Sequence, residues 1–176
     1  MAILVTGGAG FIGSNIVDEL IVKGYDVIVV DNLSTGKKEN LNDQALFYEI
    51  DIRNDKLKKI FEENDISHVM HYAAQIDVQH SIKDPQYDAK NNILGTINLL
   101  EMCKEYDVKK IIYASSAAVY GKPNYLPIDE NHPINAMSPY GITKHTPEHY
   151  IKIYNKFYNL KYTIFRYSNA YGPRQD

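Results

Sequence analysis

The stretch Val5-Thr6-Gly7-Gly8-Ala9-Gly10-Phe11-Ile12-Gly13-Ser14 decides the fold. It joins a short apolar run, Ile3-Leu4-Val5-Thr6, to a segment of helical spacing from Phe11 to Lys23. In that segment Ile12, Ile16, Val17, Leu20 and Ile21 share one face, and Gly24 stops it. Gly8-x-Gly10-x-x-Gly13 is the glycine spacing of a tight strand-to-helix turn, and Gly7-x-x-Gly10-x-x-Gly13 overlaps it. One glycine allows the turn, one lets the backbone approach a pyrophosphate, and one lets the helix lie close on the sheet. The free N–H groups of the first helical turn then face an anion. Asp31 stands 18 residues past Gly13, at the end of the next apolar run, where such a turn expects an acid. A carboxylate there accepts hydrogen bonds from ribose hydroxyls and repels a 2′-phosphate, which favours NAD over NADP. Lys37 and Lys38 follow closely and could hold a phosphate instead.

Outward from this turn, strand and helix signals alternate. Tyr25 to Asp31 contains Val27-Ile28-Val29-Val30, a continuous β-branched run typical of a parallel strand buried on both faces. Leu46 to Ile50 reads as a third strand, Asn54 to Glu63 as a helix with Leu57, Ile60 and Phe61 inward, and His68 to Tyr72 as a fourth strand. Asp84-Pro85 opens a long helix to about Tyr106, with a capping residue followed by proline where its missing N–H costs nothing. Lys110 to Ala114 is a fifth strand. Ser138-Pro139 repeats the helix-opening signal, and that helix runs to about Phe157 before a sixth strand, Tyr162 to Tyr167. Gly121 to Met137, with Pro123, Pro127 and Pro133, is a long loop of the kind that is often functional. The pattern predicts an α/β fold: a doubly wound parallel sheet of about six strands with helices on both faces, forming one domain over 1–176. The succession stops directly after the sixth strand, as expected of an interrupted architecture whose substrate domain would follow.

Composition narrows the function classes. The 176 residues are 44% hydrophobic and 23% charged, ordinary for one globular domain. A net charge of −3 supplies no basic field for nucleic acid. The single Cys103 excludes a disulfide framework and reads as a packing residue on its helix. No run approaches a membrane span, and Met1 to Thr6 is not a secretory leader, so a cytoplasmic protein is expected. His71, His80, His132, His145 and His149 show no ligand pattern, so no metal is expected; His145 and His149 are four apart, but no third ligand is evident. Tyr150, Tyr154 and Tyr158 form a stripe that suits packing or a subunit interface.

With fifteen tyrosines, about one Tyr-x-x-x-Lys pair is expected by chance, and there are two. Tyr106 and Lys110 straddle a helix end and a strand start. Tyr140 and Lys144 sit on one helix, side by side. A neighbouring ammonium, together with a positive nicotinamide ring, favours the phenolate of Tyr140 and lowers its pKa towards a working range, and the same lysine can hold a ribose. Ser115 and Ser116 end the fifth strand at the sheet's carboxyl edge, where a hydroxyl can share a reacting oxygen with Tyr140. Asp51-Ile52, after the third strand, could meet the adenine edge.

These residues resemble the extended short-chain dehydrogenase/reductase family, most closely its NAD-dependent nucleotide-sugar epimerases of the UDP-glucose 4-epimerase type. The matching segments are VTGGAGFIGS at 5–14, DNLSTG at 31–36, HYAAQ at 71–75, NILGTINLLE at 92–101, SSAAVYG at 115–121, SPYGITK at 138–144 and RYSNAYGPRQD at 166–176. The resemblance implies a Rossmann-like fold with Tyr140 as catalytic base, Lys144 as its partner and ribose ligand, and Ser116 as the second hydrogen bond to the sugar oxygen. It implies a cofactor site of Gly7, Gly10, Phe11, Ile12, Gly13, Asp31, Asn32, Ser34, Thr35, Gly36, Asp51, Ile52, Ala73, Ala74, Asn92, Ser115, Tyr140, Lys144 and Tyr167, with Asn169 on the substrate's phosphates. The substrate would be a UDP-hexose, epimerised at C4 through a 4-keto sugar. Ala117 and Ala118 stand where related dehydratases carry acids, and they cannot transfer the protons an elimination needs. The implied partner is a second copy, through helices 85–106 and 139–157. A cofactor-releasing reductase or dehydrogenase and a non-catalytic NAD-binding module are the alternatives. Two departures stand out. Family members are considerably longer, so this chain is expected to be inactive alone. Pro147 falls inside the catalytic helix, where it costs about 3 kcal/mol unless the helix kinks.

Overall fold

Val27 to Asp31 is buried along its whole length, as its continuous β-branched run predicts. The computed structural model describes residues 1–175; Asp176, the last residue of the expected domain and of the stretch at 166–176, lies outside them. The chain alternates β1 (Ala2–Thr6), α1 (Phe11–Val22), β2 (Val27–Asp31), β3 (Leu46–Glu49), α2 (Leu57–Glu63), β4 (Ile66–His71), α3 (Val78–Lys83), α4 (Pro85–Ala89), α5 (Gly95–Glu105), β5 (Lys110–Ser116), α6 (Pro139–Tyr158) and β6 (Lys161–Tyr167). All six strands are parallel, in the order β3-β2-β1-β4-β5-β6. Strand side chains alternate between faces. Leu4, Ile28, Val30, Val69, Ile111 and Tyr113 therefore meet Leu57, Leu99, Leu100, Ile151 and Tyr154 of the helices on one face. Ile3, Val5, Val27 and Val29 meet Val17 of α1 on the other.

Most expected elements are present with their ends moved by a few residues. The helix expected over 85–106 is not one α-helix. It is α4, a π-turn over Lys90–Leu94, and α5. A wider turn of this kind carries no proline or glycine signal, and such turns gather at functional sites. The short α3 escaped the sequence reading although Asp77 caps it, its carboxylate accepting from the Gln79 and His80 amides. Helix α6 runs from Pro139 to Tyr158 with Pro147 buried inside it and no break. The 121–137 loop is irregular, as expected. Its His132 is buried, accepting from the Asn124 amide and packing between Tyr120 and Tyr125. Cys103 is buried in the core, where desolvation pushes its thiol pKa well up.

Candidate active site

The strand order reverses between β1 and β4. At such a point the connections leave to opposite faces and open a crevice beyond the strands' carboxyl ends. Here a cleft of about 790 Å³ lies across that edge. Its wall includes Gly7, Gly10, Phe11, Ile12, Gly13, Asp31, Asn32, Ser34, Thr35, Asp51, Ile52, Ala73 and Ala74 on the β1–β3 side. Ser115, Ser116, Ala117, Ala118, Tyr140, Lys144, Tyr167 and Asn169 line the other side. Residues some sixty to a hundred and sixty apart in sequence thus share one volume. None of residues 121–137 lines it.

The glycine turn has the shape an anion needs. Gly7 has φ +72°, and a Cβ on it would come 2.6 Å from the Ala73 nitrogen. A Cβ on Gly13 would collide with the Gly7 carbonyl, so only glycine lets α1 start this close to β1. Gly10 caps α1 without a side-chain hydrogen bond, and the first turn holds no acid. The first-turn amides lack intrahelical partners by geometry, and Phe11, Ile12 and Gly13 line the cleft. Those amides and the absence of a Cβ fit a dinucleotide pyrophosphate.

Asp31 is 8% exposed and works partly on the loop itself. Its carboxylate accepts the Ala9 amide at 3.0 Å and the Leu33 amide at 2.8 Å, and it lines the cleft with its remaining lone pairs. Gly36 does not line the cleft. It backs Asp31, where a Cβ would come 2.9 Å from both Ala9 Cβ and Asp31 Oδ1. Asp51 is held by Arg53 at 2.8 and 2.6 Å and by Asn32 Nδ2 at 2.8 Å. The Arg53 fork pulls its pKa down to about 2. Lys38 pairs with Glu49 at 2.9 Å.

On the opposite wall Ser138 caps α6, its hydroxyl accepting the Gly141 amide at 3.1 Å, with Pro139 at the first helical position. Tyr140 and Lys144 follow one turn apart, and both reach the cleft. Ser116 hydrogen-bonds the Tyr140 phenol and accepts the Ala118 amide at 3.2 Å. Burial pushes the Tyr140 pKa up, Ser116 opposes that, and the Asp88 carboxylate adds to it. The Lys144 ammonium instead lies 4.7 Å over the Tyr113 ring. Burial brings Lys144 down to about 8, against the pull of Asp88 and Glu148. Tyr167 shares a hydroxyl hydrogen bond with Tyr72 at 3.2 Å.

Asn92 stands behind the cleft rather than in its wall, 2% exposed, and its neighbour Asn91 faces the cleft. Sequence reasoning missed two buried polar clusters. In one, Glu148 accepts Ser115 Oγ at 2.6 Å and a two-pronged Arg166 at 3.0 and 2.7 Å, while Arg166 also donates to the Tyr120 hydroxyl at 2.9 Å. Burial raises the Glu148 pKa, but Arg166 and Ser115 hold it below the ordinary value. In the other, Asp88 collects Gln75, Asn92 and Thr143. His71 bridges the Thr6 and Thr96 hydroxyls at 2.7 and 2.9 Å, with burial and Lys144 pushing its pKa down to about 3. A carboxylate four residues past Lys144 was the one available sequence signal for the Glu148 cluster. His145 and His149 touch each other at 2.9 Å on the outer face of α6. Of the tyrosine stripe, Tyr154 is buried, while Tyr150 and Tyr158 are exposed. Among the described residues no helix is long and apolar enough to cross a membrane.

Strand order and glycine cradle define a dinucleotide-binding α/β domain, with Tyr140 and Lys144 side by side at its cleft. The chain belongs to the NAD dependent epimerase/dehydratase family, whose model matches residues 3–176, and NAD is the cofactor of that family. It is 58% identical over 175 residues to a Methanocaldococcus jannaschii protein provisionally named a UDP-glucose 4-epimerase, covering 99% of this chain and 57% of that one. It superimposes with a TM-score of 0.98 at 50% identity on the Thermotoga maritima UDP-glucose 4-epimerase solved with UDP-glucose, covering all of this chain and 58% of that one. The Thermus thermophilus enzyme solved with NAD gives a TM-score of 0.97 at 45% identity, with the same coverages. The chain thus spans little more than half the length of the relatives it matches.

Proposed function

We propose that this chain is the cofactor-binding portion of an NAD-dependent nucleotide-sugar epimerase that acts at C4 of a UDP-hexose. The observation that carries the reading is the single cleft in which the glycine turn and Asp31 face Ser116, Tyr140 and Lys144. The first-turn amides of α1 would hold the pyrophosphate, Asp31 a ribose, and Lys144 the second ribose. When bound, NAD supplies reversible acceptance of a hydride from the sugar carbon. Tyr140 takes the proton of the sugar hydroxyl and later returns it, with Ser116 donating a hydrogen bond to the same oxygen. The raised pKa of Tyr140 suits its proton-returning role, and a charged Lys144 eases proton removal. Ala117 and Ala118 present only methyl groups to the cleft, which supports epimerisation over dehydration. Asn169, also in the wall, is placed for the nucleotide-sugar phosphates.

Two further parts of the reading concern assembly and completeness. Exposed Ile142, Ile153 and Phe157 on α6 and Leu94 before α5 supply an apolar surface for a second copy. Because the matched relatives are nearly twice as long, turnover by these 176 residues alone is not expected. The deciding experiment is Tyr140→Phe in the longer protein. NAD binding by calorimetry should persist and UDP-glucose to UDP-galactose conversion should vanish. Retention of more than about a tenth of the rate would remove Tyr140 from the proton-transfer role.

A further inference from the structure

Asp88 is fully buried at the back of the cleft, on α4, with no contact to solvent. Its Oδ2 accepts the Thr143 hydroxyl at 2.6 Å, and its Oδ1 accepts Gln75 Nε2 at 2.7 Å and Asn92 Nδ2 at 3.1 Å. The Asn92 amide is oriented independently, since its Oδ1 accepts the Gln75 backbone amide at 2.8 Å. Asn92 Nδ2 also donates to Thr143 Oγ1 at 3.1 Å, and the Thr143 hydroxyl reaches both Asp88 at 2.6 Å and the Tyr140 carbonyl at 3.1 Å, the shorter contact being to Asp88. Only donors thus face the two carboxyl oxygens. Three separate pieces of chain meet there. They are the segment after β4 that carries Ala73 and Ala74, the α4–π-turn junction, and the turn of α6 between Tyr140 and Lys144.

We propose that Asp88 is a positioning residue for the Tyr140/Lys144 pair, fixing the catalytic turn of α6 through Thr143 and setting a negative charge behind Lys144. The proposal rests on the reading above, in which that pair transfers the proton and holds the ribose. Thr143 faces away from the cleft, so the hydrogen bond to Asp88 pins the helix's orientation from behind while its neighbours point at the ligand. The groups around Lys144 are Asp88 from α4, Glu148 from its own helix, His71 from β4, Tyr113 from β5 and Tyr140 one turn back. Of these, Asp88 and Glu148 favour the ammonium, and Glu148 is already committed to Arg166 and Ser115. Burial alone would leave Lys144 lower than it stands, and Asp88 is the larger of the two opposing influences.

The test is the titration midpoint of Lys144 in this chain, read from lysine Cε chemical shifts by NMR and assigned with Lys144→Met. Asp88→Asn keeps the shape and removes the charge, and its midpoint should fall by about one pH unit. Asp88→Glu keeps the charge, and its midpoint should stay near that of the wild type. An unchanged midpoint in folded Asp88→Asn overturns the proposal, because a purely structural role would leave it unmoved. Should the Asp88 variants not fold, Thr143→Val and Thr143→Ser decide. Amide exchange across Tyr140–Lys144 should quicken at least several-fold in the valine variant and return to the wild-type rate in serine. Equal exchange in Thr143→Val and wild type overturns the proposal as well. Neither measurement uses cofactor or sugar, so failure of the wild-type chain to bind NAD would count against the proposed function and not against this inference.

Discussion

Lys144→Met should stabilise the folded chain at neutral pH. Lys144 is only 4% exposed, and burial holds its pKa at about 8 against an ordinary 10.5. The unfolded chain therefore binds more protons than the folded one between those values, so the lysine's contribution rises with pH across that window. At about 1.4 kcal/mol per pH unit, keeping Lys144 charged in the fold costs roughly 3 kcal/mol below pH 8. The figure is net, since the attraction of Asp88 and Glu148 is already within it. Methionine fills the same volume beside Tyr113 without that cost. Urea unfolding of both proteins from pH 6 to 10.5 checks it. The variant should be more stable by about 2–3 kcal/mol at pH 6–7, and the gap should close as pH rises through 8 towards 10.5. A gap that does not vary with pH, or a variant less stable at pH 7, would refute the electrostatic argument. The same substitution should weaken NAD binding, measured by calorimetry, if Lys144 holds a ribose as proposed.

Other perturbations report on the cleft. Gly13→Ala drives a Cβ into the Gly7 carbonyl, so thermal melts should show a loss of about 1–3 kcal/mol and calorimetry at least tenfold weaker NAD binding. Asp31→Ala strands the buried Ala9 amide and the half-buried Leu33 amide, a loss of about 1–3 kcal/mol, and it should narrow the preference for NAD over NADP; an unaltered preference would detach Asp31 from the ribose. Glu148→Ala leaves the Arg166 guanidinium unpaired beside Tyr120 and should cost about 3 kcal/mol in denaturant titrations. Because Glu148 titrates below its ordinary value, its contribution is present above pH 4.5 and fades as pH falls below that value, and the variant should lose that acid sensitivity.

The fold class and the principal face of the site follow from local pattern in the chain. A glycine turn between an apolar run and an amphipathic helix, followed by Asp31, admits few structures, because each part is a local demand of backbone sterics or hydrogen bonding. Tyr140 and Lys144 were legible for the same reason: four residues on one helix set their side chains together whatever the rest of the chain does. Ser138-Pro139 and Asp84-Pro85 fixed two helix starts through capping alone. Which of two adjacent asparagines faces the cleft was not legible, because a π-turn at Lys90–Leu94 shifts the helical phase and leaves no mark in composition; that needed the packed fold. It alone brought Asp88 against Thr143 and Glu148 against Arg166, contacts spanning 55 and 18 residues. It also set burial against the phenolate of Tyr140. Spacing brings an ammonium near, but burial is set by everything packed around the helix, and at this phenol burial is the larger effect.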